Sequence, residues 1–260
     1  MGLVAGAGST ALLDAFGGGT GQVVRVGSGA VSVALPGPRL LVLDLHPGPA
    51  SLPCAVLAPA LATVVAAGAV VVGDEVMINS FGLQLPSCWV QVSRWWSPAR
   101  VLPREPGPAS PRPADPGGLD AVTWRALRAA VSALAEHDAP ATADLLCGVL
   151  GRGPGSTPAA DDAVAGLLLA AQARPGPGAA VLDQVGRAVT AAAAARTTPL
   201  SAELLRHAAG GLATRVVVRA LHRPTEGNRA AVRALGASSG AATLAGADLV
   251  ASVRWGRLAA

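Results

Sequence analysis

"LPREPGPASPRPADPGG", residues 102–118, holds six prolines and three glycines. Proline fixes φ and has no backbone N–H to donate, so this stretch can continue neither a sheet nor a helix. It reads as a linker or an exposed crossing loop. The chain differs in texture on its two sides. From Gln22 to about Val101, "QVVRVGSGAVSVAL", "RLLVLDL", "AVVVGDEVMINSFGLQL" and "CWVQVSRWW" are rich in β-branched and aromatic residues and punctuated by Gly or Pro, the pattern of strands. After Leu119 the period changes. In "LDAVTWRALRAAVSALAEHD", Leu119, Val122, Leu127, Val131 and Leu134 recur at helical spacing and leave Arg125, Arg128 and Glu136 to solvent. Further helices are predicted at about 140–149, 158–173, 179–195, 199–221, 225–235 and 239–253. The expected class is therefore α+β: a β-rich sheet or barrel over 1–101, a proline-rich linker over 102–118 and a helical bundle over 119–260.

One segment of the first half needs a membrane check. "AVLAPALATVVAAGAVVV", Ala55–Val72, is uncharged for 18 residues, the lower limit for a span. It is mostly Ala and Val, is interrupted by Pro59 and Gly68, and runs into a strand-like alternation. A buried helix followed by a buried strand is expected, with no membrane association. The N-terminal "MGLVAGAGSTALLDAFGGG" has no basic residue ahead of its apolar ones, so no secretory signal is expected.

Composition narrows the chemistry. All 20 basic residues are Arg. Without Lys there is no Schiff base, no lysine general base and no Walker A loop. GC-rich coding bias toward Ala, Gly, Pro and Arg also accounts for this composition. The net charge of +4 comes from scattered arginines beside seven aromatics, which is no footprint for nucleic acid. Cys54, Cys88 and Cys147 are odd in number and lack CxxC spacing, and they read as reduced core residues of a cytoplasmic protein. His46, His137, His207 and His222 show no metal-ligand pairing.

The stretch that points to chemistry is "GRGPGSTPAADD", residues 151–162. Thr157 is a good N-cap and Pro158 a good first helical residue, which accounts for "TP" alone. A glycine-rich loop entering a helix also presents free N–H groups and the positive end of the dipole, a site for phosphate or carboxylate. Asp161 and Asp162 would repel that anion unless they sit deeper, bind a cation or accept hydrogen bonds from the ligand. Similar starts recur. "ARTTPLSAELL" gives Arg196, Thr197, Thr198 and Pro199, and "LGASSGAATLAG" gives Ser238, Ser239 and Gly240, with Gly246 open to a neighbouring backbone. Either each is an independent cap, or several helix N-termini meet around one anion, with Arg196 as its charge partner.

On "GRGPGSTPAADDAVAG", "RTTPLSAELLRHAAGG" and "LGASSGAATLAG", in that order, the sequence resembles the AllH-like family, which includes a subunit of bacterial oxamate carbamoyltransferase. The resemblance spans most of residues 145–250. It departs at Ala160, where relatives often carry glycine, and at Ala237, where they often carry histidine. It implies carbamoyl transfer, exchanging an oxamate-type product and carbamoyl phosphate with phosphate, in a complex with other subunits or a homo-oligomer. Under it, Gly153, Gly155, Ser156 and Thr157 cradle the anion and Asp161 and Asp162 are the catalytic candidates, on the carbamoyl amide or a cation. Arg196, Thr197, Thr198, Ser238, Ser239 and Gly240 complete the pocket. No resident metal or cofactor is expected, with Mg²⁺ left possible. A non-catalytic metabolite-binding or scaffolding subunit is the alternative. A Mg²⁺-dependent hydrolase built on the two aspartates ranks last, because neighbouring helical residues point about 100° apart.

Overall fold

Alternating β-branched residues from Gly19 onward pair into hairpins because each strand has one apolar face to bury. In the computed structural model, which describes residues 2–47, 52–103, 115–174, 178–253 and 255, the chain divides into two units, Met1–Pro98 and Ala99–Ala260. Residues 104–114, most of the expected linker, lie outside the described residues.

The first unit is a closed eight-stranded barrel. Its strands are β1 (Gly2–Ser9), β2 (Gly19–Val26), β3 (Ala30–Leu35), β4 (Arg39–Asp44), β5 (Ala55–Leu57), β6 (Glu75–Asn79), β7 (Gly82–Gln84) and β8 (Cys88–Trp96), in the circular order β1-β5-β4-β3-β2-β6-β7-β8. The pairs β1–β8 and β4–β5 are parallel and the rest antiparallel. Val23, Val31, Val33, Leu41, Leu43, Val56, Val76, Leu83 and Val90 fill the interior. Such a core over four predicted β stretches bears out the β half of the class.

Two elements differ from the sequence expectation. β1 is Gly- and Ala-rich and has little intrinsic strand preference; it is held by long parallel pairing with β8, from Gly2 opposite Cys88 to Ser9 opposite Trp96. The indole of Trp95 lies over Gly8, where a Cβ would stand 2.7 Å from the ring, and meets Phe16 edge-to-face at 5.0 Å. Phe16 belongs to the 3-10 helix Thr10–Gly17 that follows β1. The segment 55–72 is not one buried helix leading to a strand. It gives β5, then the short helix α1 (Leu61–Ala66), and ends with Val71 and Val72 exposed. Pro59 separates the strand from the helix, and Gly68, at φ +69°, stops the helix.

The second unit holds α2 (Ala121–Ala135), α3 (Ala139–Cys147), α4 (Ala159–Gln172), α5 (Ala179–Arg196), α6 (Pro199–Ala209), α7 (Arg215–His222), α8 (Glu226–Arg233) and α9 (Ser239–Ser252). A two-residue pair, β9 (Ala99–Arg100) with β10 (Leu212–Ala213), joins its start to the α6–α7 connection. The run 199–221, expected as one helix, is therefore two. Gly210 and Gly211, the latter at φ +71°, end α6 and turn the chain into β10 before Thr214 opens α7.

α4 is the centre of the bundle. Every residue from Ala160 to Ala171 except Ala165 is buried, as its apolar sequence predicts. Its closest neighbour is α9, and glycines set that closeness from both sides. A Cβ at Gly166 would stand 1.9 Å from the Thr243 carbonyl oxygen, and one at Gly246 would stand 1.9 Å from that of Ala163. α8 docks on α9 in the same way, with Gly240 against the Val232 carbonyl and a two-point Arg229–Asp248 ion pair at 2.8 and 2.6 Å. Among the described residues, no helix is long and apolar enough to cross a membrane.

Candidate functional site

The seam between α4 and α9 brings their N-terminal ends together, and α6 brings a third. α4 starts one residue later than the sequence suggests. Pro158, at φ −51° and ψ 137°, is the N-cap rather than the first helical residue, and no side chain caps the helix. The Thr157 hydroxyl is thereby released from capping and pairs at 2.9 Å with the Ser239 hydroxyl at the start of α9. Thr198 does cap α6, accepting from the Ser201 N–H at 3.1 Å, and donates its own proton to the Ser156 carbonyl at 2.6 Å. Thr197 donates to one carboxylate oxygen of Asp161, and the Gly151 N–H donates to the other at 2.8 Å. The segment that opens α4 is thus hydrogen-bonded directly to the starts of both α6 and α9.

The glycines of the loop have distinct duties. Gly151, Gly153 and Gly155 all have positive φ, which favours glycine. At Gly151 a Cβ would also stand 2.2 Å from the Arg196 carbonyl, so the loop crosses the end of α5 at backbone contact. At Gly153 a Cβ would stand 3.0 Å from the Ala159 nitrogen, so glycine there keeps the first N–H of α4 uncrowded. Gly155 is exposed, with nothing near its absent side chain.

The helix amides themselves are largely taken. Ala160 N–H donates to the Arg152 carbonyl at 3.1 Å, and Asp161 and Asp162 N–H both donate to Pro158. Among the described residues, the Ala159 N–H has no acceptor. Gly240 N–H donates to Leu235, which with its contact to Val232 makes this glycine a packing residue. Ser238 is exposed and makes no capping bond. Arg196 is exposed and donates at 2.9 Å to the Cys147 carbonyl at the end of α3. Arg152 reaches Thr123 and Asp120 at the start of α2.

The paired aspartates are both buried but differ in partners. For Asp161, burial raises the pKa, opposed by the Thr197 hydroxyl, the Gly151 amide and the neighbouring Ser201 hydroxyl. Asp162 is 7% exposed, and its Oδ2 is buried with no hydrogen-bond partner. Burial pushes it up to about 7, eased by the Ser239 and Thr157 hydroxyls and reinforced by the charge of Asp161. Among the described residues, no cation acts on either carboxyl of the pair. A carboxyl in that setting carries its proton near neutrality.

Residues 149–251 match the family of oxamate carbamoyltransferase subunit AllH. The match bears out the resemblance of the three motifs. It covers less than half of the chain, all of it in the helical unit, and contains every residue of the hydroxyl junction. The family's name denotes one subunit of a carbamoyltransferase system. No curated protein and no solved structure matches the chain.

Two residues were not singled out from the sequence, although both lie within the quoted motifs: Gly151, whose amide holds Asp161, and Ser201, one turn inside α6, whose amide is capped by Thr198 and whose buried hydroxyl lies near Asp161 with no hydrogen-bond partner among the described residues. A hydroxyl three residues after a capping Thr was the available signal for Ser201. Within the AllH-matching segment a second buried ionic group stands on α6. Burial raises the Glu203 carboxyl, but hydrogen bonds from His207 and Arg206 outweigh it and hold Glu203 down at about 2. Asp248 on α9 is engaged by Arg229. Among the described residues, no group of three or more His, Cys, Asp or Glu is placed to hold a metal ion.

Proposed function

We propose that residues 149–251 form the ligand-binding segment of a carbamoyltransferase-system subunit. The ligand is a small acidic metabolite, carbamoyl phosphate or the phosphate and oxamate-type compounds it is exchanged with, held where the loop Gly153–Thr157 meets the starts of α4, α6 and α9. The observation that carries this reading is the direct linkage of the three motifs: Thr157 to Ser239, Thr198 to Ser156 and Thr197 to Asp161. Independent caps would have no reason to bond to each other across the bundle.

In this reading the site works by preorganised neutral donors. The Thr157–Ser239 hydroxyl pair and the Ala159 N–H face the anion, and Gly153 keeps that N–H accessible. Asp161 belongs to the scaffold, because both its oxygens are engaged in fixing the loop. Arg196 and Gly240 have structural duties instead, and Ser238 makes no capping bond. The family's designation as a subunit supports partner subunits in the assembly, and a non-catalytic metabolite-binding role within it is the second reading.

The test is thermal unfolding of the whole chain with and without phosphate, carbamoyl phosphate and oxamate. A ligand at about 100 times its Kd stabilises by about 2.7 kcal/mol, a readily measured shift in Tm. Thr157→Val should remove that shift. No shift with any of the three at saturating concentration refutes the proposal.

A further inference from the structure

We infer that Asp162 meets the ligand as a neutral carboxylic acid, donating its proton to an oxygen of a small oxyanion, while Asp161 only holds the loop. This deepens the site proposed above and rests on it.

The two neighbours are separated by their surroundings rather than their chemistry. Asp161 has its acceptors filled by the Gly151 amide and the Thr197 hydroxyl. Asp162 Oδ2 is buried, more than nine-tenths of its residue is out of solvent, and among the described residues no group stands within hydrogen-bond distance of that oxygen. A buried polar atom without a partner costs about 1–3 kcal/mol, more for a charged one, so such an atom needs a reason. Its carboxyl lies against the Thr157–Ser239 hydroxyl pair, half-buried side chains at the rim of the proposed site.

Charge decides the protonation state. Asp161 is the charged group acting on Asp162. The remaining charged groups on elements packed against α4 are committed or lie elsewhere. Asp248 on α9 is held by Arg229, and Glu203, Arg206 and His207 on α6 engage one another. Asp183 and Arg187 on α5 do not act on Asp162, and Arg196 at its end binds the Cys147 carbonyl. Arg152 of the loop points to Asp120. An ionised Asp162 would therefore sit beside a second carboxylate with no cation, and would repel an anion besides. The neutral acid relieves both problems, and an O–H on Oδ2 then has no acceptor within hydrogen-bond distance among the described residues. An oxyanion supplies one. A carboxylate and a tetrahedral oxyanion share this chemistry, and the assay separates them.

The test is calorimetric titration of the full chain with oxamate and, separately, with sulfate, neither of which titrates between pH 6 and pH 8. For whichever probe binds, the affinity of the unmodified protein should fall about tenfold between those pH values as Asp162 loses its proton. Asp162→Asn retains an N–H donor, and its affinity should not change with pH. Circular dichroism confirms that the variant is folded, and the pH profile of the unmodified protein needs no variant at all. A pH-independent affinity, an affinity that rises with pH, or a folded Asp162→Asn chain that no longer binds at either pH overturns the inference. If Thr157→Val abolishes binding while pH and Asp162→Asn leave it unchanged, the site stands and this assignment alone falls. If neither probe binds the unmodified protein at pH 6, the site itself is refuted.

Discussion

Replacing Asp162 by Asn should make the helical unit more stable at alkaline pH, and the structure gives the size. Asp162 moves from an ordinary 3.8 to about 7 on folding because burial disfavours its charge. Between those values the unfolded chain has released the proton and the native state still holds it. Native stability contributed by this group is therefore fully present below about 4, falls as pH rises, and is lost by about 7. About three pKa units at 1.36 kcal/mol each make the loss about 4 kcal/mol. Asn has nearly the same shape and does not titrate. The stability difference between Asp162→Asn and the unmodified protein should therefore grow by about 4 kcal/mol, in favour of the variant, from about pH 4 to about pH 8. Urea unfolding followed by far-UV circular dichroism reads chiefly the helical unit, and taking the difference across pH cancels any constant cost of the amide. A difference that stays flat with pH, or that turns against Asn at the alkaline end, refutes the burial argument.

Gly166→Ala would stabilise an ordinary exposed helix by about 1 kcal/mol. Here the new Cβ meets the Thr243 carbonyl at 1.9 Å, so a net loss of about 1–3 kcal/mol is expected, read as a lower urea midpoint. Asp248→Ala leaves the guanidinium of Arg229 buried without its partner and should cost about 3–5 kcal/mol in the same assay. Thr197→Val removes one of the two donors to Asp161 and should cost about 1–3 kcal/mol; amide exchange at Gly151 should rise with it if the latch holds the loop.

Local pattern carried much of the architecture. The proline stretch separated strand from helix texture, and α4 was recognisable as central because its sequence is apolar on every side. What failed was information held by partners. β1 looks like a flexible glycine segment until β8 lies beside it. The 199–221 run keeps helical spacing, and the break at Gly210–Gly211 shows only through β10 and its pairing with β9. The site divides along the same line. Hydroxyls before helix-opening residues marked Thr157, Thr198 and Ser239, whereas the unequal settings of Asp161 and Asp162, identical neighbours in sequence, depend on which donors the fold delivers to each.

The closed barrel bears on how any protein could engage this half of the chain. An open sheet offers its outermost strand as a template, and a visiting segment can add itself by main-chain pairing alone. Here β1 completes the ring between β8 and β5, so the eight described strands leave no such vacancy. A companion that engages this half must be chosen by side chains and loops, which makes recognition there sensitive to point substitutions that strand addition would tolerate.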